Sequence, residues 1–257
     1  MPVKCPSCGD QTFKFAGVGT QRVESAVKKL FPKARVCRMD SDTTTRKNSH
    51  REILDEFRTG KIDILIGTQM IAKGLDFPNV TLIGIVYADL SLHMADFRAG
   101  ERTFQLLTQV AGRSGRGDVP GEVIVQTYTP FHIAVQAARQ MDYLRFYDQE
   151  AEFRKELNYP PFSRLVCVTI KGRSERKVAF SAEIFAKRLK RDLPRGVVLS
   201  DPAPAPLAMA KGHYRYQLMI RSRSTRTIVS HIRGALEEFK WPPEVSCSLD
   251  VDAISLI

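Results

Sequence analysis

Ile64-Leu-Ile-Gly-Thr-Gln-Met-Ile-Ala-Lys-Gly-Leu-Asp-Phe-Pro78 is the stretch that decides the fold. Its first residues belong to the apolar run Ile62-Asp-Ile-Leu-Ile66, which suits a buried parallel strand. Gly67-Thr68 end that strand, and Gly74-Leu-Asp76 follow in a loop. Open α/β sheets bind ligands at the carboxyl ends of their strands, so this is where a site is expected. Outward from it, strand-like runs at 34–39, 80–86 and 121–128 alternate with helical patterns at 20–31, 49–57 and 97–111. Thr20 reads as the N-cap of the first helix. The alternation implies a doubly wound α/β domain with a parallel sheet over residues 16–130.

About forty residues further on stands Gln109-Val-Ala-Gly-Arg-Ser-Gly-Arg-Gly117. If the preceding helix continues, Arg113 and Arg116 lie one turn apart and face one anion. Gly112 and its neighbouring glycines permit close backbone approach. Gln109, one turn earlier, is placed to orient a water or sense a terminal phosphate. The bland reading is a glycine-rich turn with solvated arginines. Thr68 and its loop backbone suit a nucleic-acid phosphate. Asp76 reads either as a carboxylate near a ribose, beside Gly74, or as a turn residue. No Gly-x-x-x-x-Gly-Lys-Ser/Thr phosphate loop occurs in the 257 residues. Three other patterns carry nothing. Asp55-Glu-Phe-Arg58 sits in an amphipathic helix, Gly17-Val-Gly19 lacks a third glycine, and the five histidines are scattered.

Cys5-Pro-Ser-Cys8-Gly9 has the spacing of half a tetrahedral zinc site. With no second close pair, the alternative is two free thiols. Cys37, Cys167 and Cys247 sit in apolar, strand-like contexts and read as small core residues. No apolar run reaches the ~18 residues of a membrane span, and no secretory leader opens the chain, so a cytoplasmic protein is expected.

Residues 131–158 read as one long helix ended by Tyr159-Pro-Pro161. The remainder has its own order: strand 164–171, helix 174–193, strand 197–199, a stiff connector Asp201-Pro-Ala-Pro-Ala-Pro206, strand 214–221, helix 225–239 and strand 244–251. That is the β-α-β-β-α-β order of split βαβ, ferredoxin-like domains. Basic residues cluster here, at Lys171, Arg173, Arg176, Lys177, Lys187, Arg188, Lys190 and Arg191, and Arg221, Arg223 and Arg226 follow. Lys211, Tyr214, Arg215 and Tyr216 mix cations with aromatics, a combination suited to phosphate contact and stacking on bases. The formal net charge of +11 points the same way. A solvated basic face is the alternative.

Together the two glycine-bearing runs resemble the second, RecA-like motor lobe of a superfamily 2 helicase. Gly67-Thr-Gln-Met70, Lys73-Gly74 and Phe77-Pro78 look like its fifth motif. Ala95-Asp-Phe-Arg-Ala-Gly-Glu-Arg102 and the Gln109–Arg116 run look like its sixth motif and the lead into it. With Tyr159-Pro-Pro161, Tyr214-Arg-Tyr-Gln217 and Leu249-Asp-Val-Asp252, the chain is similar to the C-terminal half of the primosomal protein N′ (PriA) family of replication-restart helicases. The family usually has proline where Ala253 stands.

The resemblance implies a 3′→5′ DNA helicase that binds abandoned forks and starts primosome reloading, driven by ATP and Mg2+ and holding Zn2+ in a cysteine-rich module. Its partners are forked DNA, single-stranded-DNA-binding protein and other primosome proteins. The implied layout is a zinc-module remnant (1–15), the motor lobe (16–130), a helical linker (131–159) and a DNA-binding domain (160–257). Gln109, Arg113 and Arg116 turn towards ATP, and Thr68 towards DNA. The lobe that grips phosphate and magnesium has no counterpart here, so this chain by itself is expected to hydrolyse no ATP. A stand-alone DNA-binding or adaptor protein is the second reading.

Overall fold

The computed structural model describes residues 19–40, 49–72, 77, 79–112 and 121–256. The chain divides into two compact units: residues up to Leu92 with Arg102–Asp142, and His93–Glu101 with Tyr143–Ile257.

In the first unit, α1 (Thr20–Leu30) and α2 (Ser49–Arg58) accompany the parallel pair β1 (Val36–Met39) and β2 (Ile64–Gly67). β3 (Leu82–Ile85) and β4 (Glu122–Val125) form a second parallel pair, joined in sequence through α3 (Asp89–Leu92) and α4 (Ala99–Ala111). Helices between parallel strands are what the alternating pattern requires. Gly19, not Thr20, caps α1. Thr20 is already helical, and its hydroxyl donates to Asp40 Oδ2 at 2.6 Å, so a tertiary partner replaces the local cap. Arg38 completes that cluster, 2.5 Å from Asp40. Gly67 stands where β1 and β2 nearly touch: a Cβ there would fall 2.6 Å from the Met39 carbonyl and 2.9 Å from Ile71.

Residues 131–158 are not one helix. α5 (Ile133–Gln140) stops at Met141, a left-handed residue whose N–H reaches back to Ala137 and Ala138. α6 (Tyr143–Glu156) then restarts. The division has a packing cause. α5 buries Ala134, Val135, Ala137 and Ala138, whereas α6 buries Phe146 and Arg154, and the two helices belong to different units.

The second unit is built on one antiparallel sheet. Its strands are β5 (Arg164–Gly172), β6 (Val198–Leu199), β7 (Ala203–Ala210), β8 (His213–Ser222) and β9 (Val245–Val251). β8 and β5 are central. β9 flanks β5, and both β6 and β7 pair with β8. The proline-rich segment expected as a connector is therefore an edge strand, with Pro204 opposite Tyr216. An edge is where a strand tolerates residues that cannot donate to the ladder.

α7 (Glu175–Arg191) and α8 (Thr225–Glu237) are capped by Ser174 and Ser224, whose side chains accept from Lys177 N and Thr227 N. Val166, Val168 and Ile170 of β5 and Leu218 and Ile220 of β8 are fully buried against Val178, Phe185, Leu189, Ile228 and Ile232. Each such side chain stabilises the fold by about 1.5–3 kcal/mol. Phe185, Phe239 and Trp241 close one side as an aromatic cluster, with ring centroids 4.5–5.2 Å apart.

Asp89, fully buried at the start of α3, ties the end of β3 to the chain beyond β4. It accepts from the Thr127 and Thr129 hydroxyls and from the Tyr128 and Thr129 N–H groups. Burial alone pushes its carboxyl up. The hydrogen bonds from Thr129, Tyr128 and Thr127 more than offset that and hold it at about 2. Asp89→Ala removes the acceptor of the Tyr128 N–H and of the Thr127 and Thr129 hydroxyls, while Thr129 N–H keeps Thr127 Oγ1, and should cost about 1–3 kcal/mol in urea denaturation at neutral pH. Because the folded value lies below the unfolded one of roughly 3.9, the difference from the parent is full above about pH 4. It shrinks as pH falls towards 2. A difference independent of pH between 5 and 2 would contradict this.

Candidate nucleic-acid interface

In the first unit the structure puts Thr68 at the carboxyl end of β2, exposed, its carbonyl accepting from Ile71 N at 3.1 Å. Asp40 follows β1 at the same edge, since Met39 pairs with Gly67. Sequence reading missed Asp40; its signal was an acid ending an apolar strand. Gln109 lies half-buried in the last turn of α4. Gly112 N–H donates to Thr108 O at 3.0 Å, so the helical pattern continues to the residue before Arg113. Gly74, Asp76, Arg113 and Arg116 lie outside the described residues, as do Cys5 and Cys8.

The remaining cysteines do not suit zinc. Cys37, Cys167 and Cys247 are strand residues, and burial pushes each thiol up, Cys247 to about 11. A zinc ligand must be a thiolate, and these hold their protons. Among the described residues no group of three or more acidic, His or Cys side chains is placed to hold a metal.

In the second unit, strand alternation sorts the basic and aromatic residues. Tyr214 and Tyr216 point to the helix-covered face of the sheet, and Tyr216 packs against its core. Arg215 points to the opposite face, directly across from Lys171. The four residues Lys211, Tyr214, Arg215 and Tyr216 thus do not form a single surface. A different group does.

Lys171 is the penultimate residue of β5, and Arg173, Arg176 and Lys177 follow through the Ser174 cap into α7. Lys211 sits in the β7–β8 turn, left-handed at φ 49°, with Gly212 at φ 76°. Arg215 is two residues into the paired part of β8. The antiparallel register brings all six cations to one end of the sheet. None of them is in an ion pair among the described residues; Glu175 is an acid nearby in sequence, and Glu244 comes near through the pairing of Val245 with Gly172. Further along α7, Arg188 is partnered by Glu238 and Lys190 by Asp201.

The open face of this sheet grades from polar to covered. At the basic end, Lys171, Arg215 and Ser246 lie in one row. Thr169, Gln217 and Ser248 make the next row, with Gln217 Nε2 donating to Thr169 Oγ1 at 3.4 Å and to Leu256 O at 3.2 Å. At the far end Leu165, Cys167 and Met219 are covered by Ala253, Leu256 and Phe97. A depression of about 400 Å³ lies on the helix side, lined by Ser174, Arg176, Lys177 and Phe180. Phe180 is 61% exposed there. Cations without partners beside an exposed ring and hydroxyls suit a sugar-phosphate backbone.

The model of the helicase conserved C-terminal domain matches residues 9–118, and that of the primosomal protein N C-terminal domain matches residues 155–254. Replication restart protein PriA of Bacillus subtilis is 47% identical over 255 residues, 98% of this chain and 32% of that protein. PriA of Synechocystis is 43% identical over 257 residues, 99% of this chain and 30% of that protein. PriA of Treponema pallidum is 41% identical, across 100% of this chain and 39% of that protein. The chain spans about a third of the length of these relatives. With the helicase conserved C-terminal domain matched first and the primosomal protein N C-terminal domain after it, the chain is similar over nearly its whole length to part of the PriA replication restart proteins.

Proposed function

We propose that this sequence forms the second motor lobe and the DNA-docking domain of an ATP-dependent 3′→5′ DNA helicase that restarts stalled replication forks. The observation that carries the reading is the succession of the two matched domains, the second presenting six unpaired cations at one end of its sheet. The strand order β9-β5-β8 with β6 and β7 beyond supports a split βαβ, ferredoxin-like assignment for that domain. Forked DNA is its ligand, and single-stranded-DNA-binding protein and other primosome proteins are its partners.

Gln109, Arg113 and Arg116 would face the terminal phosphate of ATP, with Gly74, Asp76 and Gly112 close by. ATP with Mg2+ supplies the free energy for strand separation. The arginines stabilise the charge that develops on the transferred group, and Gln109 orients a water. Thr68, exposed beyond β2, holds a DNA phosphate. Zinc belongs with Cys5 and Cys8 if further thiolates join them, and no step depends on it here. A cytoplasmic location follows from the proposed role; no helix among the described residues is long and apolar enough to cross a membrane.

Two outcomes test this. In a complete helicase carrying this sequence, Arg116→Ala should lower ATP turnover by roughly 10³-fold or more while DNA affinity stays within about threefold. Retained turnover would remove the arginine from the site. The second test reads forked-DNA affinity of this chain by fluorescence anisotropy at several salt concentrations. Each phosphate contact adds about 0.9 to the slope of log affinity against log salt. Lys171→Ala with Arg215→Ala should flatten that slope by about two, whereas Tyr216→Phe should leave affinity unchanged. An unchanged slope in the double variant would contradict the assignment of the basic end.

A further inference from the structure

α7 has two faces that do different work. Val178, Ala182, Phe185, Ala186 and Leu189 are buried in the core of the second unit. Phe180 and Ile184 are exposed on another side of the same helix. The contrast between the two phenylalanines is sharp. Phe185 packs against Phe239 and Trp241, whereas Phe180 has no ring partner and lies under no guanidinium among the described residues. The Phe180 ring contributes nothing to the core and leaves an apolar face to solvent.

Its surroundings are cationic. Arg176 and Lys177 stand four and three residues before it, so they are its neighbours on the helix surface. Long helical side chains lean towards the N-terminus, which carries the ring over that turn. The same residues, with Ser174, line the depression of about 400 Å³. That volume falls within the ~300–1,000 Å³ of small-molecule sites. Glu175 lies five residues before Phe180, about 140° round the helix, on another side. Glu183 is the acid on the ring's own side, one turn further from the depression. Exposed Arg173 adds a third cation just before the helix.

An occupant that suits this place presents a flat apolar surface next to an anion. A nucleotide with an unstacked base has both. A duplex does not, because its base faces are already stacked inside, and it offers this site only phosphates. We propose that Phe180, with Arg176 and Lys177, is a stacking platform for one unpaired base of single-stranded DNA adjoining the basic end of the sheet. Phosphates held along residues 171–177 lead the strand to the depression, and the base lies on the ring. Every base has a π-face, so the contact distinguishes unpaired from paired DNA and not one sequence from another. The proposal rests on the DNA-binding reading of the basic end given above.

The test measures the affinity of this chain for oligothymidine, a blunt duplex and a duplex with a single-stranded tail, by fluorescence anisotropy over a salt series. Phe180→Ala should weaken binding of oligothymidine and of the tailed duplex about fivefold or more, with the blunt duplex changed less than about twofold. Its salt slope should match the parent's, because no cation is lost, whereas Arg176→Ala should flatten the oligothymidine slope by about 0.7. Phe180→Tyr should bind as the parent does, and Phe180→Leu should be as weak as Phe180→Ala. Amide exchange in β5 and β8 should be unchanged in every variant, since the ring is outside the core. Parent-like binding by Phe180→Leu would overturn the proposal, because an apolar contact would then suffice. So would equal weakening towards the blunt duplex, or weakening accompanied by lost protection in β5 and β8. Unchanged single-strand affinity in Phe180→Ala would also overturn it and leave the ring to a protein contact. If that result came with weaker binding by Lys171→Ala with Arg215→Ala, the reading of the basic end would stand and only the platform would fall. Failure of the unmodified chain to bind any of the three DNAs would overturn the reading of the basic end itself.

Discussion

The antiparallel pairing of β5 with β8 is the constraint on which the second unit depends. Nine residue pairs, from Arg164 with Ser222 to Gly172 with Tyr214, fix which side chains share a face. A slip of one residue would turn Val166, Val168 and Ile170 out of the core and Lys171 into it. The buried face holds the register, because Val166, Val168 and Ile170 of β5 and Leu218 and Ile220 of β8 share one cluster with residues of α7 and α8. Once the register is held, Lys171 must meet Arg215, and the turn at Lys211 must lie at the same end. The basic end is therefore a consequence of hydrophobic alternation. Its cations need no attraction for one another, and their mutual repulsion is tolerated because they stand at a solvated end of the sheet.

In the first unit, strand ends set the candidate site. β1 and β2 run parallel and so bring their carboxyl ends, Asp40 and Thr68, to one edge. Gly67 is required there by the close approach of the Met39 carbonyl and Ile71. α4 links this unit to the second without a break in its hydrogen-bonded helix.

Much of this was legible in the sequence. The apolar runs placed β1, β2, β3 and β4, although β3 and β4 alternate exposed and half-buried residues where buried strands were expected. The helix pattern of α7 and α8 was equally plain, with serines preceding each first turn. What could not be read were features that depend on partners distant in sequence. Thr20 looked like a cap until Asp40 claimed its hydroxyl. Residues 131–158 looked like one helix because both halves are amphipathic, yet they bury their faces in different cores. The proline-rich segment looked like a free connector, although it pairs with β8 as an edge strand. Tyr216 looked available for stacking; alternation sends it inward. Phe97 and Tyr159 were read only as parts of separate motif-like runs, and nothing local showed that their rings stack on each other.

The most direct test of the account is hydrogen exchange on this chain with and without forked DNA at moderate salt. The account expects protection on DNA addition at residues 171–177 and 211–215, at one end of the second sheet, and little change across the buried faces of α7 and α8. Protection confined to the opposite end, around Arg223 and Arg226, or absent from the second unit while DNA is bound, would contradict it.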